Sequence, residues 1–218
     1  ESSNYLLVIG QYSLATSGFE YILQYYQGAE IYNNLGIACV LSAQEFWNPK
    51  TDNFIYPLEA DWYTKLSRSV SRGQEQLDPG MEPLRGAFLD KAEHYFRTAI
   101  RLNGKYLTAH TNLVCVLNLK GDAVAALKYA ELKLLKQISG RKKRKGQEAE
   151  MAEIALGICY ALLGGPNKLQ AEGIFQRLSG SSYRASALYA QQNLQYLRGA
   201  SRTDTQTEIA LPDAFRKA

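Results

Sequence analysis

The sequence has little of several residue types on which common classes of protein depend. It contains only 3 cysteines, 2 histidines, 2 tryptophans and 2 methionines among 218 residues. Cys39, Cys115 and Cys159 stand far apart, which predicts buried free thiols and argues against a disulfide framework or a zinc site. The histidines, His94 and His110, have no carboxylate or cysteine at metal-ligand spacing. We therefore predict that the chain holds no metal and no cofactor.

Long apolar runs and a large excess of charge are also missing. No run of about 18 apolar residues is present, so we predict no membrane span. The net charge of +4 is too small to indicate a nucleic-acid-binding protein without a clustered patch. The only such cluster is the basic run at 141–145. We interpret it as a solvated loop, the alternatives being a nuclear address, a nucleic-acid contact or a membrane-surface patch.

Motifs of catalysis are absent as well. The sequence has no G-x-S-x-G nucleophile motif, no phosphate-binding loop and no glycine fingerprint for a dinucleotide. We therefore predict no enzymatic activity and no catalytic residue. The compartment stays open between cytoplasm and periplasm, because a removed signal peptide leaves no trace in a chain that begins at Glu1.

What the sequence does have is a repeated pattern of apolar residues. Three segments share a leucine followed by glycine or valine: residues 34–39, 112–117 and 155–160. Each is followed by alanine and phenylalanine, or by a second alanine, at a spacing of four: Ala92 and Phe96, Ala126 and Ala130, Ala171 and Phe175. Spacings of three and four place these residues on one face of a helix. The glycine-containing stretches at 120–122 and 164–167 predict turns between paired helices.

This arrangement resembles the tetratricopeptide repeat, a helix–turn–helix unit of 34 residues. The resemblance covers about residues 30–42 and 88–178, and the early tryptophan and the closing proline of the family signature are missing. It implies an all-α fold, an α-solenoid of antiparallel helix pairs wound into a right-handed superhelix, with about three repeats plus terminal helices. The implied parts are an N-terminal helical hairpin or degenerate repeat at 1–29 with a break at Ser17–Gly18, repeats at 30–105, 106–140 and 147–180, a C-terminal capping helix at 182–199 and a tail at 200–218.

The first repeat is interrupted by an insert. Leu35 and Ala92 lie 57 residues apart where the family period requires about 13, so about 44 residues, at 42–84, are inserted. Long loops of this kind are often functional. Either the aromatic residues of the insert anchor it against the helices, or the insert folds over the groove and contributes contacts to a partner. The residues predicted for such contacts are Trp47, Tyr56, Trp62, Tyr63 and Arg68.

The resemblance also implies a binding site. In the family, the inner face of each first helix contacts a ligand, and asparagines there bind peptide backbones. By register this groove is lined here by Asn33, Asn34, Ile37, Thr111, Asn112, Cys115, Ile154 and Ile158. The predicted function is a non-catalytic scaffold that binds a protein or peptide segment. A module for carbohydrate or another small ligand, and an architectural domain of a larger enzyme, are the alternatives.

Overall fold

The computed structural model describes residues 2–59, 79–139 and 146–199, and within these ranges the chain is all-α, without a strand. The predicted all-α class is therefore confirmed. The helices are α1 (Ser2–Val8), α2 (Tyr12–Leu23), α3 (Ala29–Ala43), α4 (Glu82–Leu102), α5 (Leu107–Leu119), α6 (Ala123–Tyr129), α7 (Leu135–Ser139), α8 (Gln147–Leu163), α9 (Asn167–Leu178) and α10 (Arg184–Leu197). None of these helices is both long and apolar enough to cross a membrane.

The helices pack against their neighbours in chain order. Helices α1 and α2, α3 and α4, α5 and α6, and α8 and α9 form contacting pairs. The pairs are joined by contacts of α2 with α3, α4 with α5, α6 with α8 and α9 with α10. Helices α3, α5 and α8 are buried along most of their length. They are apolar on nearly all sides because each lies between two neighbouring layers.

The repeated glycine–phenylalanine pattern marks the contact between the two helices of a pair. A Cβ atom at Gly36 would collide with the ring of Phe96, and one at Gly157 would lie 2.7 Å from Cε1 of Phe175. Both rings are fully buried. The glycines are therefore required for the close approach of the paired helix, since any larger side chain would need the volume that the ring fills.

The second helix of the middle pair contains one extra residue. Its counterparts bury residues spaced by four and then three, at 92, 96 and 99 and at 171, 175 and 178. In the middle pair the buried residues are Ala126, Ala130 and Leu134, spaced by four and four. The backbone is π-helical at Ala130–Leu134, between α6 and α7. A π-helical turn accommodates an inserted residue, so it keeps both ends of this helix facing the core.

The N-terminal hairpin differs from the prediction in the position of its turn. The predicted break at Ser17–Gly18 is wrong, because α2 runs through both residues. The chain turns instead at Gly10, which adopts a positive φ of 80°. A Cβ atom at Gly18 would collide with the side chain of Ser3 in α1. Gly18 is therefore required where α1 and α2 approach each other closely. In the sequence, a glycine at such a contact looks the same as a glycine at a turn.

Candidate functional site

The base of the insert is held by a buried arginine of α4. Nη1 of Arg85 donates hydrogen bonds to the carbonyl oxygens of Ala43 and Phe46, at 3.0 and 2.8 Å. The guanidinium also forms a two-point ion pair with Asp52, at 3.0 and 2.8 Å. Arg85 and Asp52 are 2% and 0% exposed. Buried charges are stable only when fully paired, so this contact fixes the chain from the end of α3 to Asp52 in one conformation.

After this base the chain continues across the helices as residues 53–59, which form neither helix nor strand. Asn193 of α10 accepts a hydrogen bond from the backbone N–H of Ile55 at 2.7 Å and donates one to its carbonyl oxygen at 3.0 Å. Asn112 of α5 binds Glu59 in the same way, at 3.1 and 2.8 Å. A side-chain amide that binds both backbone groups of one residue holds an extended chain whatever that residue's side chain is. We call residues 53–59 the resident segment.

A third asparagine joins this contact from α3. Nδ2 of Asn33 donates to the carbonyl oxygen of Glu59 at 3.1 Å, and its Oδ1 accepts from Nδ2 of Asn112 at 2.8 Å. Asn34 donates to Oδ1 of Asn4 in α1 at 3.0 Å. The asparagines are buried, and the hydrogen bonds to one another and to the chain offset the cost of removing their amides from water. We call Asn33, Asn112 and Asn193 the asparagine clamp.

On either side of Ile55, the resident segment buries aromatic side chains. Phe54 and Tyr56 are 4% and 5% exposed. The ring of Phe54 packs edge-on against Tyr196, with the centroids 4.8 Å apart. The hydroxyl of Tyr56 donates to the carbonyl oxygen of Thr51 at 3.0 Å, and burial raises the pKa of Tyr56 well above its usual value. The two aromatic residues are two positions apart, as expected where alternate side chains of an extended chain point to one side.

In the middle of the resident segment, a backbone hydrogen bond forms within the segment itself. The N–H of Leu58 donates to the carbonyl oxygen of Tyr56 at 2.9 Å, a three-residue turn centred on Pro57. Proline has no N–H to be satisfied, and its fixed φ suits this turn. The helix between the two ends of the clamp in the packing order is α8. At the position that Asn112 occupies on α5, α8 carries Ala155, which offers no hydrogen bond.

The structure places the residues of the predicted groove together, in the buried interior beneath the insert. All eight are at most 3% exposed: Asn33, Asn34, Ile37, Thr111, Asn112, Cys115, Ile154 and Ile158. Of the predicted insert contacts, Tyr56 is buried and Trp47 is half-buried. The others, Trp62, Tyr63 and Arg68, lie outside the described residues, as do the basic run at 141–145 and the tail at 200–218.

Asn193 was missed by the sequence reasoning, although a signal for it exists. An asparagine followed by leucine stands in the clamp at Asn112-Leu113 and Asn193-Leu194, and outside it at Asn34-Leu35 and Asn118-Leu119. The Asn193 copy lies on α10, which was predicted to be only a capping helix. By this register α10 corresponds to the first helix of a further pair, so its asparagine faces the same side as that of α5.

The three cysteines and His110 are buried among other side chains. Burial raises the pKa of Cys39 to about 11 and that of Cys159 to about 12, and raises that of Cys115 well above its usual value. These thiols are protonated and unreactive at neutral pH. His110 is buried between the hydroxyl of Tyr129 at 2.7 Å and the carbonyl oxygen of Gly104 at 3.1 Å. Within residues 2–59, 79–139 and 146–199, no group of three or more metal-binding side chains is present.

A separate cleft of about 430 Å³ lies between α2, α3 and α4. It is lined by hydroxyl side chains of α2, by the phenyl rings of Phe46 and Phe88, and by the charged Glu20, Glu45 and Lys91. Neither Asn112 nor Asn193 borders it, and the resident segment does not reach it. The cleft is therefore distinct from the asparagine clamp.

Fold and site together define an all-α protein of successively packed helices whose asparagines bind an extended stretch of its own chain. Comparison with family models, with curated proteins and with solved structures gives no match to this chain. The assignment of a function therefore rests on the residues and their contacts.

Proposed function

We propose that this chain is a non-catalytic, tetratricopeptide-like scaffold, and that it binds an extended segment of another protein in the concave groove of a short α-solenoid. The groove is formed by α3, α5, α8 and α10. The observation that carries this proposal is the asparagine clamp, because it binds the backbone of residues 53–59 at two points four residues apart. A surface that holds one extended chain in this way has the chemistry to hold another.

The energetics of the clamp favour an extended peptide over other ligands. Each hydrogen bond contributes a net stabilisation of about 0.5–1.5 kcal/mol, and a buried amide left without a partner costs about 1–3 kcal/mol. The clamp presents donor and acceptor together at Asn112 and again at Asn193. A peptide backbone offers the complementary pair at every residue except proline. The resident segment buries Phe54 and Tyr56 beside the clamp, so apolar side chains of such a peptide suit this place.

A peptide selection tests this proposal. A random peptide library displayed on phage is selected on the immobilised full-length chain and, in parallel, on the Asn112→Ala/Asn193→Ala variant. We expect peptides enriched on the parent chain to lose at least tenfold in affinity for the variant. The matched control is Asn118→Ala, since Asn118 is a buried residue of α5 that contacts Cys159 and not residues 53–59. Peptides that bind all three proteins equally would refute the proposed site.

A further inference from the structure

We infer that the ligand of this groove carries two aromatic residues two positions apart, followed directly by proline, and that it enters by replacing the resident segment. This inference rests on the proposed function and adds two points to it, the sequence preference of the groove and the competitor that controls access. Both follow from the contacts of the Phe54-Ile55-Tyr56-Pro57 stretch of the resident segment.

The sequence preference follows from the side chains that the groove buries beside the clamp contacts, since Phe54 precedes Ile55 and Tyr56 follows it. The clamp itself binds backbone atoms and selects no side chain. Selection comes from the places occupied by Phe54 and Tyr56, which are almost wholly buried, and from the tyrosine hydroxyl, which is hydrogen-bonded to Thr51. Burying an aromatic ring in each place stabilises the bound segment relative to leaving that side chain exposed. A ligand with small residues at these positions would leave cavities in a close-packed wall.

Proline adds a geometric requirement. The clamp fixes the residues at positions 55 and 59, and the three-residue turn at Pro57 sets the length of chain between them. Pro57 is buried, so a residue with a free N–H in its place would bring a donor that needs a hydrogen-bond partner. Proline removes that donor and favours the turn. The aromatic–any–aromatic–proline order therefore satisfies the aromatic sites, the clamp and the turn together.

The resident segment is built to be exchanged without loss of its base. Its N-terminal side is anchored at Asp52 by the buried ion pair with Arg85, which involves no atom of residues 53–59. Ile55, Leu58 and Glu59 are only half-buried, unlike the aromatic residues. An empty groove would leave the clamp asparagines without partners and Phe54 and Tyr56 in water, so emptying is costly. When another segment with the same sequence pattern replaces the resident segment, it restores the hydrogen bonds of the clamp and the burial of two aromatic side chains.

Tethering makes the resident segment an effective competitor. A short tether holds it at an effective concentration on the order of millimolar. A free ligand then binds with an apparent affinity reduced by the fraction of molecules whose groove is open. The groove is accordingly selective, since only a ligand that matches the resident segment or exceeds it in contacts gains access. The partner is thus another protein that displays this sequence pattern in an extended region.

The test uses a labelled peptide with the sequence of residues 51–59 as the probe. It is titrated against the full-length chain and against the full-length Phe54→Ala/Tyr56→Ala variant, with fluorescence anisotropy as the readout. We expect the variant to bind at least tenfold more tightly than the parent chain, because its resident segment competes poorly. The Tyr21→Ala/Tyr25→Ala variant, which removes two exposed tyrosines, is the matched control and should behave like the parent chain. A peptide with alanine at both aromatic positions should bind at least tenfold more weakly than the probe.

Hydrogen exchange on the parent chain tests the same inference without a substitution. At saturating probe, the amides of Ile55 and Glu59 in the resident segment should lose protection, because their acceptors, Oδ1 of Asn193 and Oδ1 of Asn112, bind the probe instead. Unchanged protection with bound probe would overturn the exchange. Peptides that need the clamp asparagines but lack the aromatic–proline pattern would overturn the sequence preference and leave the proposed function standing. Exchange of segments between two copies, seen as a dimer by light scattering, would overturn the assignment of a foreign partner.

Discussion

At the scale of single residues, the three helix pairs fill the same contact with two different combinations of side chains. Two pairs use glycine against phenylalanine, Gly36 with Phe96 and Gly157 with Phe175. By register, the middle pair has Val114 and Ala130 at these positions, both fully buried. The larger residue on one helix accompanies the smaller one on the other, so the total volume is roughly preserved. Such compensation is what a core packed to crystal density requires.

This compensation predicts a coupled pair of substitutions. Phe96→Ala should destabilise the fold by about 3–5 kcal/mol, and Gly36→Val by about 1–3 kcal/mol through overpacking. The double variant reproduces the middle pair, and its loss should be smaller than the sum of the single losses by at least about 1 kcal/mol. Urea unfolding of the four proteins measures this coupling. Strict additivity would show that the two positions do not share volume.

An exposed glycine provides the control for these variants. No atom lies within 4 Å of the place a Cβ would take at Gly173 in α9. Gly173→Ala should therefore stabilise the protein by about 0.5–1 kcal/mol, the ordinary helix-propensity gain. Destabilisation there would mean that helix propensity does not govern exposed glycines in this chain.

Part of the candidate site could be predicted from the sequence. Asn34 and Asn112 were predicted to occupy the position that binds peptide backbone. Asn112 contacts the backbone of Glu59, whereas Asn34 donates to the side chain of Asn4 and its neighbour Asn33 contacts that backbone instead. Their binding of a foreign ligand remains a proposal. That the backbone comes from Glu59 of the same chain could not be predicted, because it depends on the path of an irregular insert. Periodicity carries no information about such a path.

At the scale of helices, the π-helical turn predicts an unusual tolerance to deletion. Glu131, Leu132 and Lys133 are exposed within it, and the extra residue is one of this group. Deleting Leu132 should restore the spacing of four and three seen in the other pairs, with Ala126, Ala130 and the following leucine still buried. We expect the melting temperature to change by only a few degrees, about 1 kcal/mol or less. Thermal unfolding followed by circular dichroism measures it.

The matched control is a deletion in a regular helix. Removing the exposed Gln176 from α9 turns every later residue by about 100° and carries Leu178 away from the core. We expect this variant to lose several kcal/mol, comparable to truncating a buried leucine. Equal losses in the two deletions would contradict the interpretation of the π-helical turn as an inserted residue. The extra residue is visible in the sequence only as a spacing, since the middle pair buries Leu134 where the others bury a residue one position earlier.

At the scale of the whole molecule, the insert changes how stability is distributed. In a simple stack each pair contacts only its neighbours, and stability is close to a sum of local terms. Here Ile55 is bound by a residue 138 positions away, and Asn112 joins Asn33 across 79 positions. The resident segment therefore links α10, at one end of the described chain, to α3 near the other. Such long connections are expected to make opening of distant helices cooperative.

Asn193→Ala tests this cooperativity. The substitution leaves both backbone groups of Ile55 without their partner, at a cost of about 1–3 kcal/mol. We expect hydrogen exchange to accelerate about tenfold at the amide of Glu59, which binds Asn112 and has no contact with Asn193, and at amides in α3. Gln192→Ala, one residue earlier in α10 and without a role in the clamp, should leave these amides unchanged. Acceleration confined to α10 and Ile55 would show that the insert lies on the helices without coupling them. Acceleration at Glu59 and in α3 would instead mean that a ligand displacing the resident segment changes the stability of the entire stack, because the clamp connects its two ends.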